Sequence, residues 1–196
     1  IDQTMTAMGG RKLRSWLSQP LLNLEKLNQR LDAVQVFVEN NTLRNHLREV
    51  LDNIYDLERL LGRIGCGLGN GRDLLALAKS LDLIPQVKKL TVDSLQSTVL
   101  LSSNLKTNIL IEELNEQLDD IPELRSLITS AITDEPPLAI KEGGLIKDGY
   151  NTDLDELRQI TRGGKQWVVE LEAKERERTT IKSLKVRFNN VFGYYI

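Results

Sequence analysis

The sequence is poor in metal-binding and nucleophilic side chains: it has one cysteine, Cys66, and one histidine, His46, in 196 residues. A single cysteine cannot build a disulfide framework, and the pair cannot supply the Cys/His set of a structural zinc site. We therefore expect neither disulfides nor a metal, and a cytoplasmic location fits this cysteine content. His46 falls within an amphipathic helical pattern and Cys66 within a glycine-rich turn, so we interpret both as incidental rather than catalytic.

An excess of charge of one sign and long apolar runs are also missing. The 26 Lys and Arg residues are offset by 28 Asp and Glu residues, for a formal net charge of −2. This balance argues against a nucleic-acid surface that covers the whole domain, so any such contact must be local. No apolar run approaches the roughly 20 residues that a membrane span needs, and we expect no membrane partner.

What the sequence does contain is a succession of apolar stripes at helical spacing, which predicts an all-α multi-helix bundle. The predicted helices cover residues 8–18, 24–38 with Asn23 as N-cap, 43–54 with Thr42 as N-cap, 57–64, 73–90 with a bend near Pro85, 109–118, and 122–132 with Pro122 in the first turn. The Ser/Thr-rich stretch 91–103 is interpreted as a loop or an irregular insertion. A very short strand is expected at Leu145 and Ile146.

A longer helix is predicted over residues 152–180, capped by Asn151 or Thr152. At about 1.5 Å per residue it would extend about 40 Å, so we expect one end to pack in the bundle and the other to protrude. Gly163-Gly164 inside it weakens a helix by about 1 kcal/mol per glycine relative to alanine. We therefore expect a kink or an interruption at these two glycines.

Beyond Leu171 the long helix is nearly all charge. Two pairs have the favourable acid-before-base order four residues apart, Glu170 with Lys174 and Glu172 with Arg176. Residues 174–187 then contain six basic and two acidic residues, a local net charge of +4. A solvated helix end would explain this excess, and contact with a polyanionic backbone would explain it as well. The candidate backbone contacts are Lys182, Lys185, Arg187, Asn189 and Asn190.

The last residues, 184–196, alternate in polarity and carry four of the nine aromatic residues. This pattern predicts one β-strand, although nothing follows for it to pair with. We therefore expect the chain to be a piece of a larger protein, with a helical domain over 1–183 and the first strand of another domain over 184–196.

Two glycine-containing stretches superficially suggest nucleotide binding. The stretch Gly65-Cys66-Gly67-Leu68-Gly69-Asn70-Gly71 follows a helix rather than a strand and has Asn70 where a dinucleotide fingerprint needs glycine, so we interpret it as a flexible turn. Gly163-Gly164-Lys165 lacks the Ser or Thr of a phosphate-binding loop. The charged residues Asp56, Glu58, Arg59 and Arg63 are interpreted as a buried structural network rather than as catalytic groups.

Several stretches, in the right order along nearly the whole chain, resemble the core (lever) domain of MutS-type DNA mismatch repair proteins. They are Thr4-Met5-Thr6-Ala7-Met8-Gly9-Gly10-Arg11-Lys12-Leu13-Arg14-Ser15-Trp16-Leu17-Ser18-Gln19-Pro20-Leu21, Arg30-Leu31-Asp32-Ala33-Val34, Asp56-Leu57-Glu58-Arg59, Arg72-Asp73-Leu74, Asp148-Gly149-Tyr150-Asn151, Leu154-Asp155-Glu156-Leu157-Arg158, Glu175-Arg176-Glu177-Arg178-Thr179, Ser183-Leu184-Lys185-Val186, and the ending Phe192-Gly193-Tyr194-Tyr195-Ile196. The resemblance implies structural roles for Gly9, Arg11, Trp16, Pro20, Asp56, Glu58, Arg59, Arg72, Asp73, Gly193 and Tyr194. Residues 91–106 match no motif of the family.

The resemblance implies a parent protein that is a homodimeric ATPase, uses ATP and magnesium, clamps mismatch-containing double-stranded DNA and works with a MutL-type partner. The piece itself would be no enzyme and would hold no cofactor. It would link the DNA-binding and ATPase parts mechanically, with 184–196 entering the clamp domain. The alternative is a helical adaptor that binds another protein, for which an exposed apolar stripe would be the sign.

Overall fold

The computed structural model describes residues 2–101, 109–189, 191 and 193–195. In this part of the chain helices predominate, which confirms the all-α class. The helices are α1 (Ala7–Ser18), α2 (Leu24–Glu39), α3 (Asn41–Asp52), α4 (Leu57–Gly65), α5 (Gly71–Leu101), α6 (Ile109–Gln117), α7 (Pro122–Ala131) and α8 (Thr152–Thr179), with a 3-10 turn at Ile140–Glu142. The chain divides into two compact units, Ile1–Lys147 and Asp148–Ile196. The boundary predicted at 183/184 does not coincide with this division.

The first unit is built around α5, which packs against α2, α3, α4, α6 and α7. Its inward-facing residues lie three and four apart, so one stripe serves several neighbours. One core cluster consists of Leu60, Leu77, Ala78, Leu81, Ile128 and Ile132, and a second of Ile54, Ile84 and Val87. The helix passes through Pro85 without a break.

A buried hydroxyl fixes the connection between α3 and α4 to this central helix. The Ser80 side chain is fully buried. Its hydroxyl donates to the Ala76 carbonyl at 2.9 Å and accepts from the Tyr55 backbone N–H at 3.1 Å. The connection therefore has its polar backbone satisfied by the core helix itself.

The very short strand predicted at Leu145 and Ile146 is confirmed as an isolated antiparallel bridge between Ile146 and Ile132. The Thr133 N–H donates to the Leu145 carbonyl at 3.0 Å, and the Lys147 N–H donates to the Ala131 carbonyl at 2.8 Å. The last residues of the first unit are thereby tied to the end of α7.

Two of the three predicted caps are confirmed, and so is the proline predicted in the first turn of α7. Asn23 caps α2, Asn151 caps α8, and Pro122 is the first residue of α7. The prediction of Thr42 as the cap of α3 is wrong. The side chain of Asn40 accepts from the Leu43 N–H at 3.0 Å, so α3 begins one residue before Thr42.

The predicted loop over 91–103 is wrong for the residues that the structure describes, because α5 continues to Leu101. The hydroxyl of Thr91 donates to the Lys88 carbonyl at 2.7 Å, and that of Ser94 donates to the Thr91 carbonyl. These side chains are satisfied by carbonyls of the preceding turn, so the polar composition does not break the helix. Residues 102 and 103 lie outside the described part.

The second unit contains α8 and a small hairpin. Of the kink or interruption expected at Gly163-Gly164, the interruption is wrong, because α8 runs through both glycines. The single terminal strand is also wrong: β1 (Arg187–Asn189) and β2 (Gly193–Tyr195) pair antiparallel, with Arg187 opposite Tyr195. Gly193 has a φ of 74°, a conformation that favours glycine and permits the return.

Candidate nucleic-acid interface at the end of the long helix

The first turn of α8 is held by a compact polar arrangement. The Gly149 N–H donates to Asp155 Oδ2 at 2.7 Å. Arg158 lies 2.7 Å from Asp148 and 3.4 Å from Asp155. Carboxylates near a helix N-terminus also suit the positive end of the helix dipole. The start of α8 and the turn before it therefore form one ordered element.

At the other end of α8, one ion pair holds the chain that follows the helix. Arg176 Nη2 lies 2.5 Å from Glu172 Oε1, which confirms this predicted pair. The other carboxylate oxygen, Oε2, accepts from the Val186 N–H at 2.9 Å, and Arg176 Nε donates to the Leu184 carbonyl at 2.8 Å. We call this four-residue arrangement the Glu172–Arg176 latch. It fixes the backbone of residues 184–186 against α8.

The second predicted pair, Glu170 with Lys174, is not seen among the described contacts. Glu170 accepts instead from Gln166 Nε2 at 3.2 Å, on the turn before it. Lys174 is exposed. The spacing of four residues therefore allows Glu170 to pair with Lys174, but Gln166 on the preceding turn competes for the same carboxylate.

Of the six basic residues of 174–187, Arg176 and Arg178 are paired, and the other four are exposed. Arg176 belongs to the latch, and Arg178 pairs with Glu175 at 2.7 Å, a hydrogen bond that raises the pKa of Arg178. We call the exposed cations that follow the helix, Lys182, Lys185 and Arg187, the basic segment. Within the described residues, none of these three cations has an ion-pair partner.

The basic segment has a defined sidedness. Leu184 and Val186 are partly buried, while Lys185 and Arg187 between and after them are exposed. Because successive side chains of an extended chain point to opposite faces, latching 184 and 186 to α8 turns 185 and 187 toward solvent. Of the two predicted asparagines, the side chain of Asn189 and the whole of Asn190 lie outside the described residues.

In the first unit, the predicted buried charge network is wrong in both its membership and its burial. Asp56 and Glu58 pair with Arg11 of α1, at 2.7 and 2.5 Å, and the Arg11 side chain is 46% exposed. Arg63 pairs with Asp73 at 3.0 Å. The hydrogen bonds from Arg11 lower the pKa of Asp56 to about 2. They also raise the pKa of Arg11.

The glycine-rich turn before α5 is organised by its own side chains. The Asp73 N–H donates to Asn70 Oδ1 and the Asn70 N–H donates to Asp73 Oδ2, both at 3.0 Å, which forms a reciprocal capping box. The Asp73 carboxylate thus already occupies this helix N-terminus. A Cβ added to Gly71 would overlap Leu145 Cδ1 and lie 2.6 Å from Pro136 Cβ. Gly71 therefore serves close packing rather than flexibility.

The described residues contain no group of three or more His, Cys, Asp and Glu side chains that could hold a metal ion. His46 and Cys66 are both exposed. In the same part of the chain, no helix combines the length and apolar character required to cross a membrane.

A comparison with known protein families shows the family of the chain. A family model described as MutS domain III matches residues 1–192. The chain belongs to this family. Relatives called "DNA mismatch repair protein MutS" are similar to it over all 196 residues, with 46% identity in Acetivibrio thermocellus, 47% in Halothermothrix orenii and 44% in Methanosarcina barkeri. The alignments cover 20 to 21% of these relatives, so the chain spans about a fifth of their length.

The motif residues of this MutS domain III hold neighbouring elements together. Arg11 joins α1 to the start of α4, and Arg30 places its guanidinium 4.0 Å from the centroid of the Trp16 ring, a cation–π contact between α2 and α1. Arg72 Nε donates to the Pro136 carbonyl at 3.3 Å. A Cβ on Gly9 would lie 3.0 Å from Thr6 Oγ1, the hydroxyl that caps α1.

Three other motif residues make fewer contacts. Pro20 is exposed between α1 and α2, and Arg59 is exposed, with its backbone N–H donating to Asp56 at 3.2 Å. Tyr194 lies opposite Phe188 in the hairpin, and its side chain is outside the described part. Sequence reasoning missed the bonds of Glu172 and Arg176 to residues 184 and 186, because helical spacing carries no information about a partner beyond the helix end.

Proposed function

We propose that this chain is the helical connecting part of a DNA mismatch repair protein. Membership of the MutS domain III family and the names of the relatives support this role. In this proposal the chain contributes no catalytic residue. Its contribution is mechanical: α8 carries movement between DNA-binding and ATPase parts that lie elsewhere in the parent protein.

The observation that carries the mechanical proposal is the continuity of α8. Its 28 residues form one helix through two glycines. At about 1.5 Å per residue it is about 42 Å long. A polar arrangement orders its first turn, and the Glu172–Arg176 latch orders the chain after its last turns. A rigid element with an ordered junction at each end transmits a rotation with little loss, whereas a flexible linker absorbs it.

We further infer that the basic segment approaches the DNA backbone. Lys182, Lys185 and Arg187 are exposed and lie within six residues of one another. The latch on residues 184 and 186 turns Lys185 and Arg187 toward solvent. Exposed cations without a base-reading geometry suit sequence-independent contact with phosphates. Each phosphate neutralised in this way adds a salt-sensitive contribution to affinity.

The parent protein, in this proposal, is a homodimer that binds ATP and magnesium, engages mismatch-containing double-stranded DNA, cooperates with a MutL-type partner and works in the cytoplasm. These properties follow from the family resemblance. They are proposed for the intact parent protein, because this chain spans about a fifth of the relatives' length.

The mechanical role is tested by breaking α8 in the intact parent protein. Proline at Leu171 and Ala173 removes helix hydrogen bonds and costs about 3 kcal/mol per site in a helix interior. The Leu171→Met, Ala173→Ser variant is the matched control, because it changes the same positions without breaking the helix. We expect the proline variant to retain basal ATP hydrolysis and lose its stimulation by DNA. Undiminished stimulation would contradict the proposal.

The DNA contact is tested separately by charge reversal. Lys185→Glu with Arg187→Glu should weaken binding to double-stranded DNA and reduce the slope of log affinity against log salt by about 1 per lost contact. Lys26→Glu with Lys89→Glu is the control, since both lysines are exposed and the net charge changes equally. An equal loss in the two variants would show a general charge effect and contradict a local contact.

A second candidate function, a helical adaptor, is favoured by one observation. The stripe of α2 formed by Leu24, Leu27, Leu31, Val34 and Val38 is exposed, with Leu31 58% and Val34 56% accessible. An exposed apolar face of this kind suits association with another helix. Intact coupling in the α8 proline variant, together with loss of a protein partner in a Leu31→Glu, Val34→Glu variant, would support the adaptor instead.

A further inference from the structure

We propose that Glu172 and Arg176 are positioning residues for the basic segment: their latch presents Lys185 and Arg187 to a phosphate backbone. This inference rests on the proposed DNA contact and deepens it. Neither side chain would touch DNA. Each would act through the backbone of residues 184–186.

The geometry of the latch supports a positioning role because two polar atoms of each charged group form hydrogen bonds. One carboxylate oxygen of Glu172 accepts from Arg176 Nη2, and the other accepts from the Val186 N–H. A second nitrogen of Arg176, Nε, donates to the Leu184 carbonyl. A simple ion pair that stabilises the helix would need only the first of these contacts. Charge-assisted bonds to backbone groups are stronger and more directional than neutral ones.

The neighbouring pair on the same helix shows the contrast. Glu175 and Arg178 lie 2.7 Å apart, yet among the described residues the side-chain hydrogen bonds of this pair reach none of 184–186. It therefore serves as a matched reference, with the same residue types, the same helix and the same charges. Among the side-chain hydrogen bonds of the described residues, those of the Glu172–Arg176 pair reach residues 184 and 186.

The direction in which Glu172→Gln changes DNA affinity distinguishes a positioning role from a purely electrostatic one. Glu172→Gln removes a negative charge beside the basic segment, so electrostatics alone would tighten DNA binding. In Glu172 each carboxylate oxygen accepts from a different donor, whereas glutamine replaces one of these oxygens with an NH2 group that can only donate, so the bond to Arg176 or the bond to Val186 is lost. If the latch positions Lys185 and Arg187, the variant binds DNA more weakly and its salt slope falls by about 1 to 2.

The test has two readouts. In the 196-residue chain, amide hydrogen exchange followed by NMR should show the Val186 N–H exchanging about tenfold faster in Glu172→Gln, and unchanged in the Glu175→Gln control. In the intact parent protein, affinity for labelled double-stranded DNA without a mismatch should fall in Glu172→Gln and stay equal or rise in Glu175→Gln. Arg176→Lys, which keeps the charge but loses the guanidinium geometry, should reproduce the Glu172→Gln result.

Each failure has its own meaning. Equal Val186 exchange in the Glu172→Gln and Glu175→Gln chains would overturn the latch whatever the DNA result. Tighter DNA binding in Glu172→Gln would overturn the positioning role. Unchanged DNA binding after charge reversal at Lys185 and Arg187 would overturn the proposed DNA contact itself, independently of the exchange measurement.

Discussion

Arg11 and Asp56, 45 residues apart in sequence, form a two-pronged pair in which the guanidinium donates to both carboxylate oxygens at 2.7 and 2.8 Å. The same carboxylate caps α4 by accepting from the Arg59 N–H at 3.2 Å. The Asp56 side chain thus caps the start of α4 and ties it to α1. The pairing depends on the planar fork of the guanidinium, which a lysine cannot reproduce.

Replacing Arg11 by lysine should therefore destabilise the first unit even though the charge is kept. We expect a lower urea midpoint for Arg11→Lys than for Arg14→Lys, because Arg14 is exposed on the same helix and its side chain has no hydrogen bond among the described contacts. Urea unfolding followed by circular dichroism measures both midpoints. Equal midpoints in the two variants would contradict a geometric role for Arg11.

The same pair gives a pH dependence with a defined sign. The hydrogen bond from Arg11 lowers the pKa of Asp56 from 3.8 to about 2. Because the folded-state pKa is depressed, its stabilising contribution is complete above about pH 4 and is lost as the pH falls toward about 2. The stability gap between the natural chain and Asp56→Asn should shrink across this interval. A gap that stays constant down to pH 2 would contradict the assignment.

Two glycines in helices should respond in opposite directions to alanine. Gly62 in α4 has open space around an added Cβ, whereas Gly71 lies against Pro136 and Leu145. Gly62→Ala should stabilise the chain by about 0.5–1 kcal/mol. Gly71→Ala should destabilise it by about 1–3 kcal/mol, because the added methyl overpacks the contact. Thermal unfolding distinguishes them, and stabilisation by Gly71→Ala would contradict the close packing described above.

Gly163 and Gly164 should likewise tolerate alanine, since nothing lies within 4 Å of an added Cβ at either position. We expect the double alanine variant to raise thermal stability by about 1 kcal/mol per site. The adjacent glycines Gly143 and Gly144 are the control, because their φ angles of 75° and 74° disfavour alanine. Destabilisation by alanine at 163 and 164 would show that the helix needs a flexible point there.

The sequence predicted the helices best where an apolar stripe and a capping side chain agree. The start of α2 at Asn23 and the start of α8 at Asn151 are of this kind, and so is the proline at the first position of α7. Both signals are local, so they survive without knowledge of the fold. The Glu172–Arg176 pair was found for the same reason.

The wrong predictions come from residues whose state depends on the rest of the molecule. Thr91 and Ser94 suggested a loop, yet their hydroxyls bond to carbonyls of the preceding turn. The glycines of α8 suggested a break, but their intrinsic cost is small beside the many hydrogen bonds of a long helix. The terminal strand was predicted as single because the returning turn near Gly193 was not recognised.

The candidate site was predicted only in part. Composition identifies the cations at 182, 185 and 187, because their clustering is visible in the sequence. It does not identify which arginines are already paired, nor that Leu184 and Val186 are bonded to α8. Those contacts join positions 8 and 14 residues apart, and they require the direction in which the chain turns after the helix.

The central claim is that α8 is one rigid helix through Gly163 and Gly164. It is tested most directly by the distance between spin labels at Gln159 and Glu177, both exposed, in the intact parent protein with its native cysteines replaced. The separation along an unbroken helix is about 27 Å between the two Cα atoms at 1.5 Å per residue. The account predicts one narrow distance distribution that is the same with and without DNA. A shorter or broadened distribution, or one that changes when DNA binds, would contradict it.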